Sequence, residues 1–550
     1  MIRDTSPLPR RASLALAMTT SLLATLLALG CQPASGTAGD ASSEEDRLVA
    51  STQYGSVRGY EEDGILVFKG VRYGADTATT RFAAPAPPEP WTEVRDALSY
   101  GNSAPQGQRS SIGLFESWAP DPVPTNSEDC LFLNVWTPAL RDEALRPVMV
   151  WFHGGGFTSG SGSSNAYDGV RLAKRGDVVV VTVNHRLNLF GYTYLDEFGE
   201  QFAGSGNAGM LDLVASLEWV RDNVAEFGGD PGNVLIFGES GGGWKVSTLM
   251  AMDAARGLFH RAVAQSGPGL EAEDPEPAAG ATRALLAELG LEEATIDQIR
   301  TLPAAQLQAA AAAIAEAGGS VPGRRPVVDG IHLLRHPFSP DAPEQSKDVP
   351  LLIGSARTEM SLLAGARRPE LFELTFKTLP EALERAMPGV DAQAVIEGYR
   401  TLHPELDAPT LYFEVTSDNS TFVRGSFELA DRKAAQGGAL VYQYYLSWST
   451  PVDDGKWGAP HALDIGMVFD NVAKSESMSG VGEEQQNIAD MMSEAWLAFA
   501  RSGDPNHPGL PTWSPYDAER RATMVFDVEP VLVDDPRRRE LNLIDSALRD

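Results

Sequence analysis

The stretch that decides the fold of this chain is Phe237-Gly238-Glu239-Ser240-Gly241-Gly242-Gly243. The apolar run at 234–237 predicts a buried strand, and residues 244–250 predict a helix. A strand, a G-x-S-x-G turn and a helix together predict a nucleophile elbow, in which a sharp turn exposes the serine hydroxyl. Glycines are needed beside the serine because side chains there would collide with the strand and the helix. Ser240 is therefore a candidate nucleophile.

A second element upstream of the elbow points to the same chemistry. Residues 147–152 predict another buried strand, which runs straight into His153-Gly154-Gly155-Gly156-Phe157. Acyl transfer builds negative charge on a carbonyl oxygen, and backbone N–H groups aimed at one point stabilise that charge. The glycine turn, together with the N–H of Gly241, therefore predicts an oxyanion hole. The alternative for the glycine turn is a flexible loop.

A nucleophilic serine needs a histidine base, and the base needs a carboxylate that orients it. Of the eight histidines, His403, His461 and His507 lie well downstream of the elbow. His403 lies in a turn at a helix end, and His507 lies in a polar surface turn. His461 follows the strong predicted strand at 440–446, and a loop after a late strand is where the base belongs. The context therefore favours His461.

Glu359 is the candidate for the acid, since it lies in the loop just beyond a predicted strand at 349–354. The expected chain order of nucleophile, acid and base agrees with this position. The alternative is a carboxylate that stabilises the N-terminus of the following helix. Spacing alone leaves both interpretations open.

Length and composition predict one large α/β domain with insertions, over residues 48–545. The chain has 550 residues, 43% of them hydrophobic, which is ample for a large core. Its 75 acidic and 44 basic residues give a net charge of −31, which disfavours nucleic-acid binding. The sequence has no cluster of metal-ligating residues, so we expect neither a metal nor a cofactor.

The first 31 residues predict an export signal of the bacterial type. Arginines precede an uncharged apolar stretch at 12–30, and Cys31 follows it at once, as in a lipoprotein cleavage site. The alternatives are an ordinary cleaved signal, an uncleaved anchor helix and a free cysteine. Residues 32–47 are small, polar and acidic, which suits a flexible tether. We therefore expect a lipid anchor at Cys31 in the bacterial cell envelope, or otherwise a periplasmic or secreted protein.

The chain resembles the type-B carboxylesterase family, which includes bacterial para-nitrobenzyl esterases, eukaryotic carboxylesterases and cholinesterases. The resemblance runs from about residue 49 to residue 541, and many segments carry it in the same order. Besides the elbow and the glycine turn, the matching segments are 68–74, 81–82, 127–135, 184–187, 207–212, 227–231, 265–267, 326–330, 459–462 and 503–506.

The resemblance implies an α/β-hydrolase fold, with a large, mostly parallel central sheet flanked by helices and with helical insertions. It implies Ser240 as nucleophile, Glu359 as acid and His461 as base. It also implies three oxyanion donors, Gly155, Gly156 and Gly241. Ser266 matches a serine that supports the acid and the base from behind, and Arg81 and Glu128 match a buried structural ion pair.

Two departures from the family pattern stand out. The residue after the nucleophile is commonly alanine in the family, whereas here it is Gly241, which still supplies a backbone N–H. The family's cysteine at Cys130 commonly forms a disulfide with a cysteine in an upstream Cys-Pro-Gln turn. That turn reads Ala104-Pro105-Gln106 here, so this disulfide is lost.

The predicted activity is hydrolysis of a small-molecule carboxylic ester through an acyl-enzyme, without a cofactor. The alternative from a different class is a catalytically silent binding or adhesion protein on the same fold, because fold does not determine function. Such proteins typically lose a residue of the triad, whereas all three positions are filled here. Amide or carbamate hydrolysis is the alternative within the same class, and an intact triad does not separate these reactions.

Overall fold

The structure, a computed structural model, describes residues 46–107 and 112–548. The predicted signal peptide (1–31), with Cys31, and nearly all of the predicted tether (32–47) lie outside the described residues, so these assignments stay predictions. In the part of the chain that the structure describes, no helix has both the length and the apolarity needed to cross a lipid bilayer.

Strands account for the centre of the molecule. In the described residues they are Val49–Thr52 (β1), Gly55–Arg58 (β2), Tyr60–Glu62 (β3), Ile65–Arg72 (β4), Arg95–Asp96 (β5), Phe132–Thr137 (β6), Arg146–Phe152 (β7), Val179–Val183 (β8), Gly229–Glu239 (β9), Arg261–Gln265 (β10), Leu351–Ala356 (β11), Val441–Leu446 (β12), Ala522–Phe526 (β13) and Val531–Asp534 (β14).

Among these strands, eleven form one sheet in the order β14-β13-β12-β11-β10-β9-β7-β8-β6-β4-β3. Every neighbouring pair from β13 to β8 is parallel, and the pairs at the two edges are antiparallel. Strands β1, β2 and β5 form a small second sheet. The large, mostly parallel sheet that the sequence predicts is confirmed.

Composition explains why the central strands form. Residues 179–183 read Val-Val-Val-Thr-Val, and all five are buried. β-Branched side chains favour strands, and parallel strands covered on both faces are nearly continuous apolar runs. The predicted strands at 147–152, 234–237, 349–354 and 440–446 correspond to β7, β9, β11 and β12.

Helices cover both faces of the sheet and supply the insertions. In the described residues they are Val170–Gly176 (α1), Asn188–Tyr192 (α2), Ala208–Asn223 (α3), Gly241–Met250 (α4), Pro275–Glu288 (α5), Ala304–Glu316 (α6), Leu379–Ala386 (α7), Ala392–Leu402 (α8), Ala408–Asp418 (α9), Val423–Ala435 (α10), Leu463–Val468 (α11), Glu476–Ser479 (α12), Glu483–Ser502 (α13) and Arg538–Ala547 (α14).

The side chains of β7 alternate between two hydrophobic clusters, one on each face of the sheet. Val148 and Val150 face a cluster that includes α3 and α4, whereas Met149 and Trp151 face a cluster that includes α11 and α13. Successive side chains of a strand point to opposite faces, so one apolar strand contributes to both layers. Helices α7, α8, α9 and α14 enclose a third, separate cluster.

The topology brings the candidate residues to one edge of the sheet. Ser240, Ser266 and Glu359 follow the carboxyl ends of β9, β10 and β11, and His461 lies in the loop after β12. These four strands are parallel neighbours, so their carboxyl ends meet at the same edge. Ligands in open α/β sheets bind in the crevice at this edge.

Candidate active site

The elbow has the backbone conformation that its sequence predicts. Ser240 lies between β9 and α4 with φ 56° and ψ −122°, a strained conformation for a residue with a side chain. A Cβ atom at Gly242 would lie 2.0 Å from the carbonyl oxygen of Phe152, which excludes any side chain there. The Ser240 N–H donates to the Gln265 carbonyl at 2.8 Å, and this bond ties the strained turn to the neighbouring strand.

The Ser240 side chain is half-buried and available. Among the described residues, its hydroxyl makes no hydrogen bond, and it does not cap α4. The structure therefore presents the hydroxyl at the edge of the sheet without committing it to a structural role.

Glu359, His461 and Ser266 come together as one buried cluster behind the elbow. Glu359 Oε2 lies 2.5 Å from Nδ1 of His461, and its Oε1 accepts a 2.6 Å hydrogen bond from the Ser266 hydroxyl. The N–H of Ala356 also donates to Oε1, at 2.8 Å. Since the Glu359 side chain is fully buried, these bonds fix the orientation of the carboxylate. Because Glu359 contacts the imidazole of His461, its role is not limited to stabilising the N-terminus of the following helix.

Backbone and hydroxyl contacts join the loop that carries Glu359 to the loop that carries His461. The Thr358 N–H donates to the Ala459 carbonyl at 2.9 Å, and the Thr358 hydroxyl donates to the Trp457 carbonyl at 2.8 Å. The Ser361 hydroxyl donates to the same carbonyl at 2.6 Å. Each of these residues is buried, so the contacts link the two loops behind Glu359 and His461 away from solvent.

The other two downstream histidines have partners elsewhere. Nε2 of His403, just after the end of α8, lies 2.7 Å from Oε1 of Glu540. Nε2 of His507 lies 3.1 Å from the Met491 carbonyl oxygen. Of the three candidates, His461 is the one that contacts Glu359.

Glu239, immediately before Ser240, is a residue that the sequence analysis did not single out. Its Oε1 lies 3.1 Å from Nε2 of His461, and both side chains are buried. Burial raises the pKa of Glu239, and the nearby His461 opposes that shift. Burial by itself would lower the pKa of His461, but the carboxylates of Glu239 and Glu359 outweigh it and raise that pKa. A glutamate between an apolar strand and a candidate serine was the signal available in the sequence, and it marks the residue without identifying its partner.

The glycine turn after β7 lies directly against the elbow. Gly155 and Gly156 have φ values of 85° and 61°, which glycine adopts without strain. A Cβ at Gly241 would lie 2.2 Å from the Gly156 carbonyl oxygen, so the two backbones are in close contact. No hydrogen bond among the described residues uses the N–H of Gly155, Gly156 or Gly241. All three N–H groups are therefore available to a ligand.

Lys245 is a second residue that sequence reasoning missed. It lies on α4, is fully buried, and donates from Nζ to the carbonyl oxygens of His153 at 2.8 Å and Gly156 at 2.9 Å. Burial lowers the pKa of Lys245 to about 7, and the Glu239 carboxylate opposes this shift. A lysine that is the one charged residue of the helix after the elbow was the signal that could have drawn attention to it.

Aromatic side chains lie next to His461. The ring centroids of Phe422 and His461 are 4.8 Å apart, and the nearly parallel rings of Phe422 and Trp244 are 6.5 Å apart. Trp244 also stacks on Phe157 at 6.2 Å, and the exposed Arg325 guanidinium lies 5.5 Å from the centre of the Trp244 ring. Since Trp244 and Phe422 are only half-buried, they form an apolar wall that a ligand can contact.

The remaining predicted residues lie away from this cluster. Nε of Arg81 donates to Glu128 at 2.7 Å, and Nη1 donates to the Ile299 and Leu302 carbonyls, which is a structural arrangement. Cys130 is buried with a free thiol, and burial raises the pKa of that thiol. A raised pKa disfavours the nucleophilic thiolate. Cys31 lies outside the described residues.

Comparison with known proteins places the chain in a family. A sequence model described as the carboxylesterase family matches residues 46–544. The para-nitrobenzyl esterase of Bacillus subtilis is 36% identical over 496 residues, which cover 89% of this chain and 96% of that protein. The phenmedipham hydrolase of Pseudarthrobacter oxydans is 32% identical over 499 residues, which cover 88% and 96%.

Solved structures agree with the sequence comparisons. The crystal structure of a carboxylesterase from Geobacillus stearothermophilus, at pH 6.2, superposes with a TM-score of 0.76 and 38% identity. The match covers 90% of this chain and all of that one (100%). The predicted α/β-hydrolase fold is thereby confirmed. With its sheet, its elbow and these relatives, the chain belongs to the carboxylesterase family, as a carboxylesterase-type serine hydrolase with an α/β-hydrolase fold.

Proposed function

We propose that this chain hydrolyses carboxylic esters through an acyl-enzyme formed on Ser240, with His461 as the base and Glu359 as the acid. The observation that carries the proposal is the buried contact of 2.5 Å between Glu359 and His461 at the carboxyl edge of the sheet. Ser266 anchors the carboxylate at 2.6 Å from behind. An imidazole held by a buried carboxylate, whose other nitrogen lies 3.1 Å from the residue before a strained serine, fits the arrangement that serine hydrolases require.

In the proposed reaction, Ser240 Oγ attacks the ester carbonyl while Nε2 of His461 accepts the hydroxyl proton. Nε2 lies 3.1 Å from Glu239, the residue before Ser240, so the accepting nitrogen lies at the elbow. Catalytic hydrogen bonds often tighten only when substrate is bound. Glu359 stabilises the imidazolium that forms. His461 then returns the proton to the leaving alcohol, and a water molecule repeats the cycle to release the acid.

The N–H groups of Gly155, Gly156 and Gly241 are the proposed oxyanion donors. Two observations support this role: these N–H groups donate no hydrogen bond among the described residues, and the glycine turn lies in close contact with the elbow. One such donor contributes about 3 kcal/mol to transition-state stabilisation in comparable sites.

The test is turnover of p-nitrophenyl and p-nitrobenzyl esters by the chain and by Ser240→Ala. We expect the substitution to lower kcat by about 10⁴-fold or more, because the nucleophile is lost. Ser546→Ala is the matched control, since that exposed hydroxyl bonds only to the backbone of its own helix, at Asn542. Turnover by Ser240→Ala at the rate of the unmodified protein would contradict the proposal.

The ester panel also separates the alternatives. A folded protein that cleaves no ester would favour the binding-protein interpretation. Because one relative is a phenmedipham hydrolase, phenmedipham belongs in the panel, and its cleavage faster than that of every ester would favour the carbamate alternative.

We also propose that the chain is exported and carries a lipid on Cys31 in the bacterial cell envelope. Basic residues, an apolar stretch and the cysteine that follows it support this proposal. We expect the chain to incorporate labelled palmitate in a bacterial host and to be recovered with membranes, and Cys31→Ser to do neither. An unlabelled chain in the soluble fraction would indicate an ordinary cleaved signal.

A further inference from the structure

A buried cation lies behind the glycine turn. The Lys245 ammonium donates to the carbonyl oxygens of His153 and Gly156, at 2.8 and 2.9 Å, and the side chain is 0% exposed. Burying a lysine is costly unless its donors find partners. Both of these partners belong to the backbone of the glycine turn, so the lysine binds the turn to α4.

The two bonds enclose the part of the turn that matters for catalysis. His153 lies before the peptide groups that carry the N–H of Gly155 and Gly156, and the Gly156 carbonyl lies just after them. Glycine has more backbone freedom than any other residue, and both glycines have positive φ. A turn of this composition needs an external restraint to keep its N–H groups in one direction, and Lys245 holds it at both ends.

Gly241 supplies an independent observation about the same carbonyl. A Cβ at position 241 would lie 2.2 Å from the Gly156 carbonyl oxygen and 2.4 Å from the Gly156 Cα. These distances are shorter than any real contact, so a side chain there would force the turn to move. The position of the Gly156 carbonyl therefore depends on two residues of α4: a lysine that bonds to it and a glycine that makes room for it.

We propose that Lys245 is a positioning residue, which holds the glycine turn in the conformation that directs the N–H groups of Gly155 and Gly156 at the oxyanion. Gly241 is coupled to Lys245, because its bare Cα lets the Gly156 carbonyl reach the ammonium. This inference rests on the proposed function of the turn as an oxyanion hole.

The first experiment replaces the lysine by an apolar side chain of similar length. Lys245→Met should lower kcat on p-nitrophenyl esters about 10- to 100-fold with little change in KM, because misplaced donors affect the transition state more than the bound ester. The affinity for a trifluoromethyl ketone, which forms a tetrahedral adduct with a serine, should fall by a similar factor. The affinity for the corresponding alcohol should stay the same.

Lys433→Met is the matched control. Lys433 is also 0% exposed, and its Nζ also donates to two backbone carbonyls, those of Ser346 at 2.7 Å and Lys347 at 2.9 Å. This lysine lies on α10 and contacts no residue of the candidate site. We expect Lys433→Met to lower Tm while kcat and KM stay unchanged. If Lys245→Met behaves in the same way, Lys245 is structural and the proposal is overturned.

The second experiment measures the coupling between the two positions. Gly241→Ala should lower kcat in the unmodified background, because the new methyl group displaces Gly156. In the Lys245→Met background the released turn can move away from the methyl group, so the double variant should lose less than the product of the two single losses. Independent, multiplicative losses would overturn the coupling.

These results remain separable from a failure of the proposed function. If Lys245→Met does not fold, Gly241→Ala alone carries the test, and an unchanged kcat in that variant overturns the inference. If Ser240→Ala loses activity while Lys245→Met keeps the full rate, the inference on Lys245 fails and the proposed function stands. If Ser240→Ala keeps its activity, the proposed function fails.

Discussion

At the scale of single residues, the site depends on buried charges that oppose one another. His461 lies between two carboxylates, with Glu359 at Nδ1 and Glu239 at Nε2. Both stabilise the imidazolium, and they outweigh the desolvation that would otherwise keep the imidazole neutral. The balance of these charges sets the pH at which His461 is able to accept a proton.

Glu239→Gln should shift the acid limb of the kcat/KM profile to lower pH. His461 acts as a base only when it is neutral, and the acid limb reports its pKa in the free enzyme. Removing one negative charge destabilises the imidazolium, so its pKa falls and activity persists at lower pH, by about one pH unit for a lost neighbouring charge. The measurement is kcat/KM for a neutral ester between pH 5 and 10.5, a range that brackets the raised pKa of His461, about 9.

Glu428→Gln is the control for this prediction. Glu428 pairs with Arg432 on α10, where its side chain is 44% exposed, so its loss should leave the profile in place. An acid limb that stays where it is, or moves to higher pH, in Glu239→Gln would contradict the role assigned to Glu239.

At the scale of elements, a buried ion pair ties the loop after β8 to α3. Arg186, in the loop after β8, donates from Nε and Nη2 to Asp212 on α3 at 2.8 and 2.6 Å. Its Nη1 donates to the Ala83 carbonyl at 2.7 Å. The two side chains are 2% and 0% exposed. One guanidinium therefore joins three separate segments of the chain.

Asp212→Asn should destabilise the fold by about 3–5 kcal/mol, because it leaves a buried guanidinium without its counter-charge. The measurement is the thermal unfolding midpoint at a fixed scan rate, with kcat on the remaining folded protein as a second readout. Asp222→Asn is the matched control on the same chain segment, since the pair Arg221–Asp222 is 49% and 34% exposed. That exposed pair contributes about 1 kcal/mol or less. Equal midpoints for the two variants would contradict the prediction.

At the scale of the whole molecule, charge is the dominant property. The net charge of −31 gives the protein a negative electrostatic field that repels anions. This field is stronger in clefts than over flat surface, because clefts focus the field lines. Arg325, beside the aromatic wall, is a local positive charge within that field.

Salt should therefore speed the hydrolysis of anionic esters and leave neutral esters unaffected. The Debye length falls from about 30 Å at 0.01 M to about 10 Å at 0.1 M salt, so the repulsion is screened. We expect kcat/KM for p-nitrophenyl hemisuccinate to rise several-fold over this range, because weaker repulsion raises the concentration of the anionic ester near the protein. The neutral p-nitrophenyl acetate is the control. A decrease for the anionic ester would show that Arg325 outweighs the global field.

Much of this protein followed from local pattern. The β-branched runs specified the central strands, because such side chains suit a sheet covered on both faces. Gly238 and Gly242 specified the elbow around the strained Ser240, because a side chain at either glycine would collide with neighbouring backbone atoms. The resemblance supplied Glu359, His461 and Ser266 as candidates for the acid, the base and the supporting serine, and in the structure these three residues are in contact.

The partners of Glu239 and Lys245 were decided by the tertiary structure alone. Neither residue has a local pattern that reveals its contacts: Glu239 meets a histidine from a loop more than 200 positions later, and Lys245 meets a turn about 90 positions earlier. The sequence by itself determined the buried strands and the elbow, because short-range sterics and apolar runs encode them, and its resemblance to the family supplied the fold and the class of chemistry. The environment of each buried charge depends on which loops converge at one sheet edge, and only the folded chain sets that convergence.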